Sequence, residues 1–397
     1  MNQLQLPRRH FLIAAGSAGM ATALSDTLNI PSAFAQEPKP LPPYAAWKNA
    51  DAMIVHSNNT LETKREFFGT SGITPEDELY IRNNVPAPDE SIIADRDAWE
   101  VEIEGVRNPG KKTLADLKKL GLETTAMVLQ CSGNGRGFHK HKASGTPWTV
   151  GAAGNVIWSG VPLREVVKAM GGLADGRNFI TGTGGEELPK NIDPKTIMVE
   201  RSVPISALDD ALLAWEVNGK PISLAHGGPL RLVFPGYYGV NNVKYIKKLA
   251  FTEKESDATI QRTGYRVRPP GQKGSPDQPS MWEMTVKSWV THPLKETDQG
   301  PVLIYGVAFG GNRSVKSVAV STDDGNTWQE ARLVGPDLGK YAWRTFVLAA
   351  DLKPGTHIIA SRATDVAGNT QPEEFAENER GYGHNGWRAH AVAVTVV

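Results

Sequence analysis

Leu129-Gln130-Cys131-Ser132-Gly133-Asn134-Gly135-Arg136 follows an apolar run, residues 125–129, and holds the single cysteine of the 397-residue chain. The run reads as a buried strand that delivers Cys131 into a loop. Gly133 and Gly135 carry no Cβ, so the loop backbone can approach a bulky partner closely. A thiolate is a soft ligand for a transition metal, and Arg136 adds a fixed positive charge that suits a thiolate or an incoming anion. Two other readings compete. Cys131 could be a nucleophile, although no nearby pattern supplies its base, or the stretch could be only a glycine-rich turn after a core strand.

Working outward, strand-like and short helical signals alternate from about residue 90 to 265, separated by glycine-rich turns. This predicts a mixed α+β domain over residues 36–280, not a regular βαβ array. Thr113 with Asp116 three residues on is a capping-box-like helix start; Leu114, Leu117 and Leu120 share one side, and Gly121 is a stop. Pro162 stands at a first helical position, with Leu163, Val166, Val167 and Met170 on one face and Gly171 at the end. Residues 36 to about 50 are proline-rich and are expected to be extended, and residues 264–279, rich in Pro, Gly and Arg, read as a linker. Beyond it, residues 302–309, 314–321, 327–333, 341–348, 356–364 and 389–396 are strand-like, and Val392, Val394 and Val396 alternate cleanly. Asp323-Asp324-Gly325-Asn326 is a tight-turn signal between two of these runs. Residues 281–397 are therefore expected to form an all-β immunoglobulin-like sandwich without the usual cysteine pair.

Lys plus Arg and Asp plus Glu both number 43. No global charge argues for nucleic acid or an anionic membrane, so an anion site has to be a local arginine cluster. Pro7-Arg8-Arg9-His10-Phe11-Leu12-Ile13 precedes an apolar stretch broken by Gly16, Ser17 and Gly19, and Ser32-Ala33-Phe34-Ala35 offers a small-residue cleavage site. Residues 1–35 thus read as a signal peptide, and the arginine pair points to twin-arginine (Tat) export, which carries folded cargo to the periplasm. The apolar stretch is too short and too glycine-rich for a membrane anchor, and no later stretch reads as one. A single cysteine rules out an internal disulfide, an Fe–S cluster, a zinc cysteine cluster and a C-x-x-C-H haem attachment site.

The cysteine loop resembles the molybdenum-ligating loop of the sulfite oxidase family, and further stretches match in order along the mature chain. Glu78-Leu79-Tyr80-Ile81-Arg82-Asn83-Asn84-Val85-Pro86 resembles the family's pterin- and substrate-site segment. Gly151-Ala152 and Trp158-Ser159-Gly160 are similar to its next block. Leu213-Ala214-Trp215-Glu216-Val217-Asn218-Gly219, His226-Gly227-Gly228-Pro229-Leu230-Arg231, Pro235-Gly236 and Asn242-Val243-Lys244 resemble its cofactor-binding core. The tail is similar too, at Asp365, Asn369-Thr370-Gln371-Pro372, Arg380-Gly381 and Asn385-Gly386-Trp387.

The resemblance implies a molybdenum–molybdopterin cofactor with Cys131 as the thiolate ligand. It implies Arg82, Arg136 and Arg380 as oxyanion-binding arginines, suited to sulfite or sulfate, and Tyr265 as an active-site tyrosine. Tyr80, Arg82, Asn84, His226, Arg231, Asn242 and Lys244 fall on positions that hold the pterin and its phosphate. Asn84 departs from the animal enzymes, which carry histidine there. The family's acidic pterin contact falls near Glu186 and Glu187 and is assigned to neither. Read without the family, Arg380 beside Glu379 is a surface ion pair, His226 a turn residue and Tyr265 a packing tyrosine. His139 and His141 are expected to be solvated. The implied activity is periplasmic sulfite dehydrogenation, with no haem on this chain, an external c-type cytochrome as acceptor and a sandwich that makes a homodimer. Rival readings are the sulfane dehydrogenase subunit of a thiosulfate-oxidising system, which acts on a carrier-bound substrate, and a periplasmic methionine sulfoxide reductase, whose relatives look single-domain. From a different class comes a metal-free immunoglobulin-like binding protein.

Overall fold

The computed structural model describes residues 39–397; the expected signal peptide, residues 1–35, lies outside them. The hairpin Met53–Ser57 and Thr60–Thr63 pairs onward with Ile81–Arg82, in register Thr60↔Arg82 and Leu61↔Ile81. This small sheet fixes the backbone of the segment that carries Tyr80, Arg82 and Asn84. A second sheet runs Lys220–Pro221, Leu212–Val217, Ala153–Pro162, Glu123–Gln130, with Arg231–Val233 against Leu212–Val217. A third runs Gly110–Thr113, Glu100–Glu104, Ile246–Thr252, Phe179–Gly184, Glu200–Pro204. Between the last two sheets lies a core that includes Val101, Ile103, Leu117, Leu163, Val166, Leu213, Leu232 and Phe251.

Sheet dominates, and the α-helices are few and short. Leu114–Lys118 starts as expected, its first turn capped by Thr113 Oγ1, which accepts from the Asp116 N–H at 3.1 Å. Leu163–Ala169 begins one residue later than expected, with Pro162 in the cap position. Among the described residues no helix is long and apolar enough to cross a membrane.

The C-terminal strands form one eight-stranded sheet in the order Lys287–His292, Gly300–Phe309, Arg344–Leu352, Gln329–Val334, Val315–Ser321, Gly355–Asp365, Val392–Val396, Glu296–Thr297. The sheet curls into a sandwich, so that Lys287–His292 packs against Gly355–Asp365 around Val290, Ile304, Val318, Phe346, Ile359 and Val394. The turn is there too, with Asp324 and Gly325 at φ of 60° and 82°, but it sits inside a longer connection, since the two strands pair no closer than Val320↔Gln329.

One expectation fails. Residues 43–52 are not extended, because Pro43–Ala45 and Ala50–Ala52 form 3-10 turns, the second capped by the Asn49 side chain. Residues 264–279 form an irregular connection as expected of a linker, exposed over residues 269–273, but its start is tied down. They follow the π-turn Ile260–Gly264, and Arg266 and Arg268 are buried. Arg266 pairs with Glu255 at 2.5 Å and donates to the Gln261 and Gln278 carbonyls at 3.0 Å. Buried guanidiniums need such acceptors, and composition does not reveal acceptors.

Candidate active site

Strand Glu123–Gln130 becomes fully buried toward its end, and the Cys131 N–H continues its ladder by donating to Ala152 O at 2.9 Å. The chain then folds into tight turns, with Asn134 N–H to Cys131 O at 3.0 Å and Arg136 N–H to Gly133 O at 2.9 Å. Gly135 takes φ 93°, which a residue with a Cβ rarely adopts. A Cβ on Gly133 would lie 2.3 Å from Arg136 Nη2, because Arg136 folds back over the loop. Its Nε donates to Arg380 O and its Nη1 to Thr146 O, both at 2.8 Å. Beneath the loop, the buried Glu62 carboxylate accepts from the N–H groups of Thr149 (2.8 Å) and Gly151 (3.0 Å) and lies 2.7 Å from His56 Nε2. Bonds to a charged acceptor are the strong ones, so Glu62 anchors the segment on which the cysteine loop rests. No sequence motif pointed to Glu62.

Cys131 opens onto a cleft. Of the residues nominated from sequence, Tyr80, Arg82, Asn84, Cys131, His226, Arg231, Asn242, Lys244 and Tyr265 all line it; Arg136 and Arg380 do not. Arg82 Nη2 and the Tyr265 hydroxyl both donate to Asn84 Oδ1, at 2.7 and 3.3 Å. Lys244 Nζ donates to Asn83 Oδ1 and Ala225 O at 2.5 Å. Arg231 donates to Asn242 O at 3.1 Å and His226 O at 2.8 Å. The Asn242 carboxamide is spent on its own loop, accepting from the Phe234 N–H at 2.7 Å and donating to Tyr238 O at 3.1 Å. It shapes the cleft wall more than it offers free donors.

Arg82, Arg231, Lys244 and His226 crowd one side of this space, with Glu186 as the single acid in its lining. Burial, reinforced by Arg231, holds Lys244 well below the usual lysine range. Burial, with Lys48, Lys244 and Arg231 adding to it, does the same to His226. Burial also brings Arg231 down to about 10 and pushes the Glu186 carboxyl up to about 7, against the pull of Lys244. Such a cluster lacks anionic charge. Asn83 Nδ2 is buried there with no hydrogen-bond partner among the described residues, an unusual cost unless a ligand supplies the acceptor. A thiol, several cations and an unpaired amide donor fit a metal–pterin group with a phosphate tail.

Sequence reasoning missed two lining or flanking groups. Glu186, not Glu187, faces the cleft; the two are adjacent, so only the backbone direction separates them. Tyr382 stacks on Tyr265 with ring centroids 5.0 Å apart and 7° between planes, and the Arg136 guanidinium lies 5.5 Å from its ring centroid. Arg136 thus stands behind Tyr382. Arg380 is half-buried and makes no ion pair with Glu379, whose carboxylate accepts from the Gly271 N–H at 2.7 Å. His139 is buried, not solvated, with its ring 5.0 Å from that of His384. The segment that covers it arrives from the far end of the chain.

Residues 85–260 match the family model of the oxidoreductase molybdopterin binding domain, and residues 278–396 that of the Mo-co oxidoreductase dimerisation domain. Mitochondrial sulfite oxidase of Drosophila melanogaster is 31% identical over 351 residues, 82% of this chain and 59% of that protein. Sulfite oxidase of Arabidopsis thaliana is 30% identical over 358 residues, 82% of this chain and 89% of that protein. Inducible NADH nitrate reductase 1 of Glycine max is 33% identical over 350 residues, which span only 39% of its length. Among solved structures, the sulfane dehydrogenase SoxCD from Paracoccus pantotrophus superposes with a TM-score of 0.72 at 27% identity, covering 87% of this chain and 88% of that one.

Proposed function

Because this chain belongs to the sulfite oxidase family of molybdenum oxidoreductases, we propose that it is a sulfite dehydrogenase, oxidising sulfite to sulfate at a molybdenum–molybdopterin centre. The observation that carries this reading is the convergence of Cys131, Arg82 and Tyr265 with a cationic cradle in one cleft. The bound group supplies a two-electron acceptor. Cys131 holds the metal through its thiolate. His226, Arg231 and Lys244, with Tyr80, Asn84 and Asn242 shaping the wall, hold the pterin and its phosphate by charge-assisted hydrogen bonds. One carboxamide, that of Asn84, orients both Arg82 and Tyr265. These two meet the sulfite oxygens, where a fixed guanidinium stabilises an anion by charge-assisted hydrogen bonds. Arg136 and Arg380 act from behind, the first by pinning the cysteine loop and adding positive potential.

In this reading the chain works in the periplasm after Tat export, its sandwich pairs two copies, and electrons leave to a c-type cytochrome, with no haem on the chain itself. The arginine pair and cleavage pattern of residues 1–35 support the first point, and the match of residues 278–396 to a dimerisation domain supports the second. A single cysteine leaves no covalent haem attachment motif, which favours an external acceptor. The likeness to a sulfane dehydrogenase across nearly the whole chain favours one second reading, oxidation of a carrier-bound sulfane.

Purified, molybdenum-loaded protein is to be assayed for cytochrome c reduction with sulfite, with thiosulfate and with a protein-bound persulfide, and for nitrate consumption. Sulfite-dependent reduction is the expected result. No reduction with sulfite but turnover of the protein-bound persulfide would replace the first reading by the second. Changing Arg8 and Arg9 to lysine is expected to leave the protein in the cytoplasm; unchanged export would remove the Tat assignment.

A further inference from the structure

Lys48 does not line the cleft, yet it touches a residue that does. It lies between the turns Pro43–Ala45 and Ala50–Ala52 and is only 4% exposed. Its ammonium donates to the carbonyls of Glu76 and, at 2.5 Å, of Leu79, and lies 2.8 Å from His226 Nε2. An ammonium has three N–H donors and no acceptor, and each donor here has a partner. The imidazole nitrogen facing it must therefore supply the lone pair. That places the proton of the neutral ring on Nδ1, on a ring that lines the cleft. Trp47 packs edge-on against the same ring at 6.1 Å, and the Lys48 ammonium sits 4.6 Å from the Trp47 ring centroid, so the ring is held in orientation as well.

The proton could in principle sit the other way round, on His226 with a neutral amine opposite. Burial does bring Lys48 down to about 7, with Glu76 and Asp77 pulling it back up. Burial lowers His226 much further, and Lys48, Lys244 and Arg231 all add to that effect. Below about pH 7 the shared proton therefore stays on the lysine. A lysine buried this deeply is costly unless its bonds do something for the fold or the site.

We propose that Lys48 is a positioning residue for the group bound in the cleft: by donating to Nε2 it fixes His226 as the Nδ1–H tautomer and makes the ring a hydrogen-bond donor toward an oxygen of that group. The opposite tautomer would present a lone pair to a phosphate or carbonyl oxygen and repel it. The identity of the group rests on the molybdopterin reading; the tautomer does not.

The test uses the full-length protein labelled with 15N-histidine, with the His226 signals assigned by their loss in His226→Gln. Long-range 1H–15N correlation at about pH 6, where Lys48 is protonated, is expected to show Nδ1 protonated and Nε2 bare in the wild type; an Nε2–H ring there overturns the proposal without any variant. Lys48→Met keeps the stem and removes the donor, freeing Nε2 to donate to the Glu76 carbonyl that the same ammonium engages. It is expected to switch the tautomer and lower retained molybdopterin roughly tenfold, the scale of lost outer-shell support. Lys48→Gln, an uncharged donor, is expected to restore both. A folded Met variant that keeps Nδ1–H overturns the assignment, as does a switched tautomer with unchanged pterin content. Wild-type protein that carries no molybdopterin fails the underlying reading instead, and is recognised before any variant is made.

Discussion

Serine at position 131 would nearly match the size of the thiol but would offer a harder, more basic donor to a soft metal. Cys131→Ser protein is therefore expected to fold, to keep part of its pterin through Arg231, Lys244 and His226, and to lose sulfite turnover. Metal, pterin and turnover measured on one sample check this, and wild-type turnover would take Cys131 out of the metal site. The arginines divide differently. Arg82 is half-buried with its guanidinium at the cleft, so Arg82→Gln is expected to raise KM for sulfite about ten- to a hundredfold, the worth of one charge-assisted bond of about 1.5–3 kcal/mol. Turnover should fall less. Arg136 spends its donors on the Thr146 and Arg380 carbonyls. Arg136→Gln is expected to lower thermal stability and metal content more than sulfite affinity, because it leaves two acceptors under the cysteine loop without their donor. Melting curves beside steady-state kinetics separate the two patterns; identical effects in both variants would place both arginines in the same role.

At the level of elements, the edge strand Lys287–His292 couples the sandwich to the cysteine loop. Lys287 is 2% exposed and reaches Asn134 O at 3.3 Å, and burial pushes its ammonium down to about 7. Between about pH 7 and the ordinary lysine value the unfolded chain holds this proton and the folded chain does not, so stability rises with pH across that window. Below pH 7 the folded chain bears the full cost of the buried charge. Lys287→Met is therefore expected to stabilise the protein by about 2–4 kcal/mol at pH 6, with the gain shrinking toward pH 10; a gain independent of pH in denaturant titrations would contradict the neutral buried lysine. The same strand shows where the sequence stops being readable. The run into Cys131, the Thr113 cap and the alternation of Val392, Val394 and Val396 are local, and each appears in the structure where the pattern puts it. The burial of His139, Arg266 and Arg268 depends on partners or covering segments that their own stretches do not reveal, so the first reads as solvated and the other two only as part of a linker. The cleft lining was legible only through likeness to a family, since Tyr80, His226 and Tyr265 carry no local signature of a shared site. Glu186 against Glu187 needed the backbone itself.

On the scale of the whole molecule, the two halves are tied at the chemistry. Arg65 donates to Val290 O and His390 O at 2.7 Å, and the Gly383 N–H donates to Ser132 O at 2.8 Å, one residue from the cysteine. The sandwich that is expected to pair two copies therefore also buttresses the Cys131 loop. Light scattering at micromolar concentration is expected to give twice the chain mass; a clean monomer would remove the pairing and leave the cleft intact. Electrons present the remaining whole-molecule question: in the proposed reading they leave to an external cytochrome, which would dock close to the molybdenum site. Redox encounters bury small areas and are weak, so their rate depends on charge complementarity between the two surfaces. Equal totals of 43 basic and 43 acidic residues give no sign for such a patch, but any sign is screened by salt over roughly 8–10 Å at physiological strength. Turnover with cytochrome c is accordingly expected to change steeply between low and high ionic strength, whereas turnover with ferricyanide, which needs no protein-sized surface, should change less. Salt also screens sulfite against Arg82, and that effect is common to both acceptors. The docking term is therefore the difference between the two salt profiles, and profiles that coincide would place the whole effect at the arginine and leave no docking patch to explain.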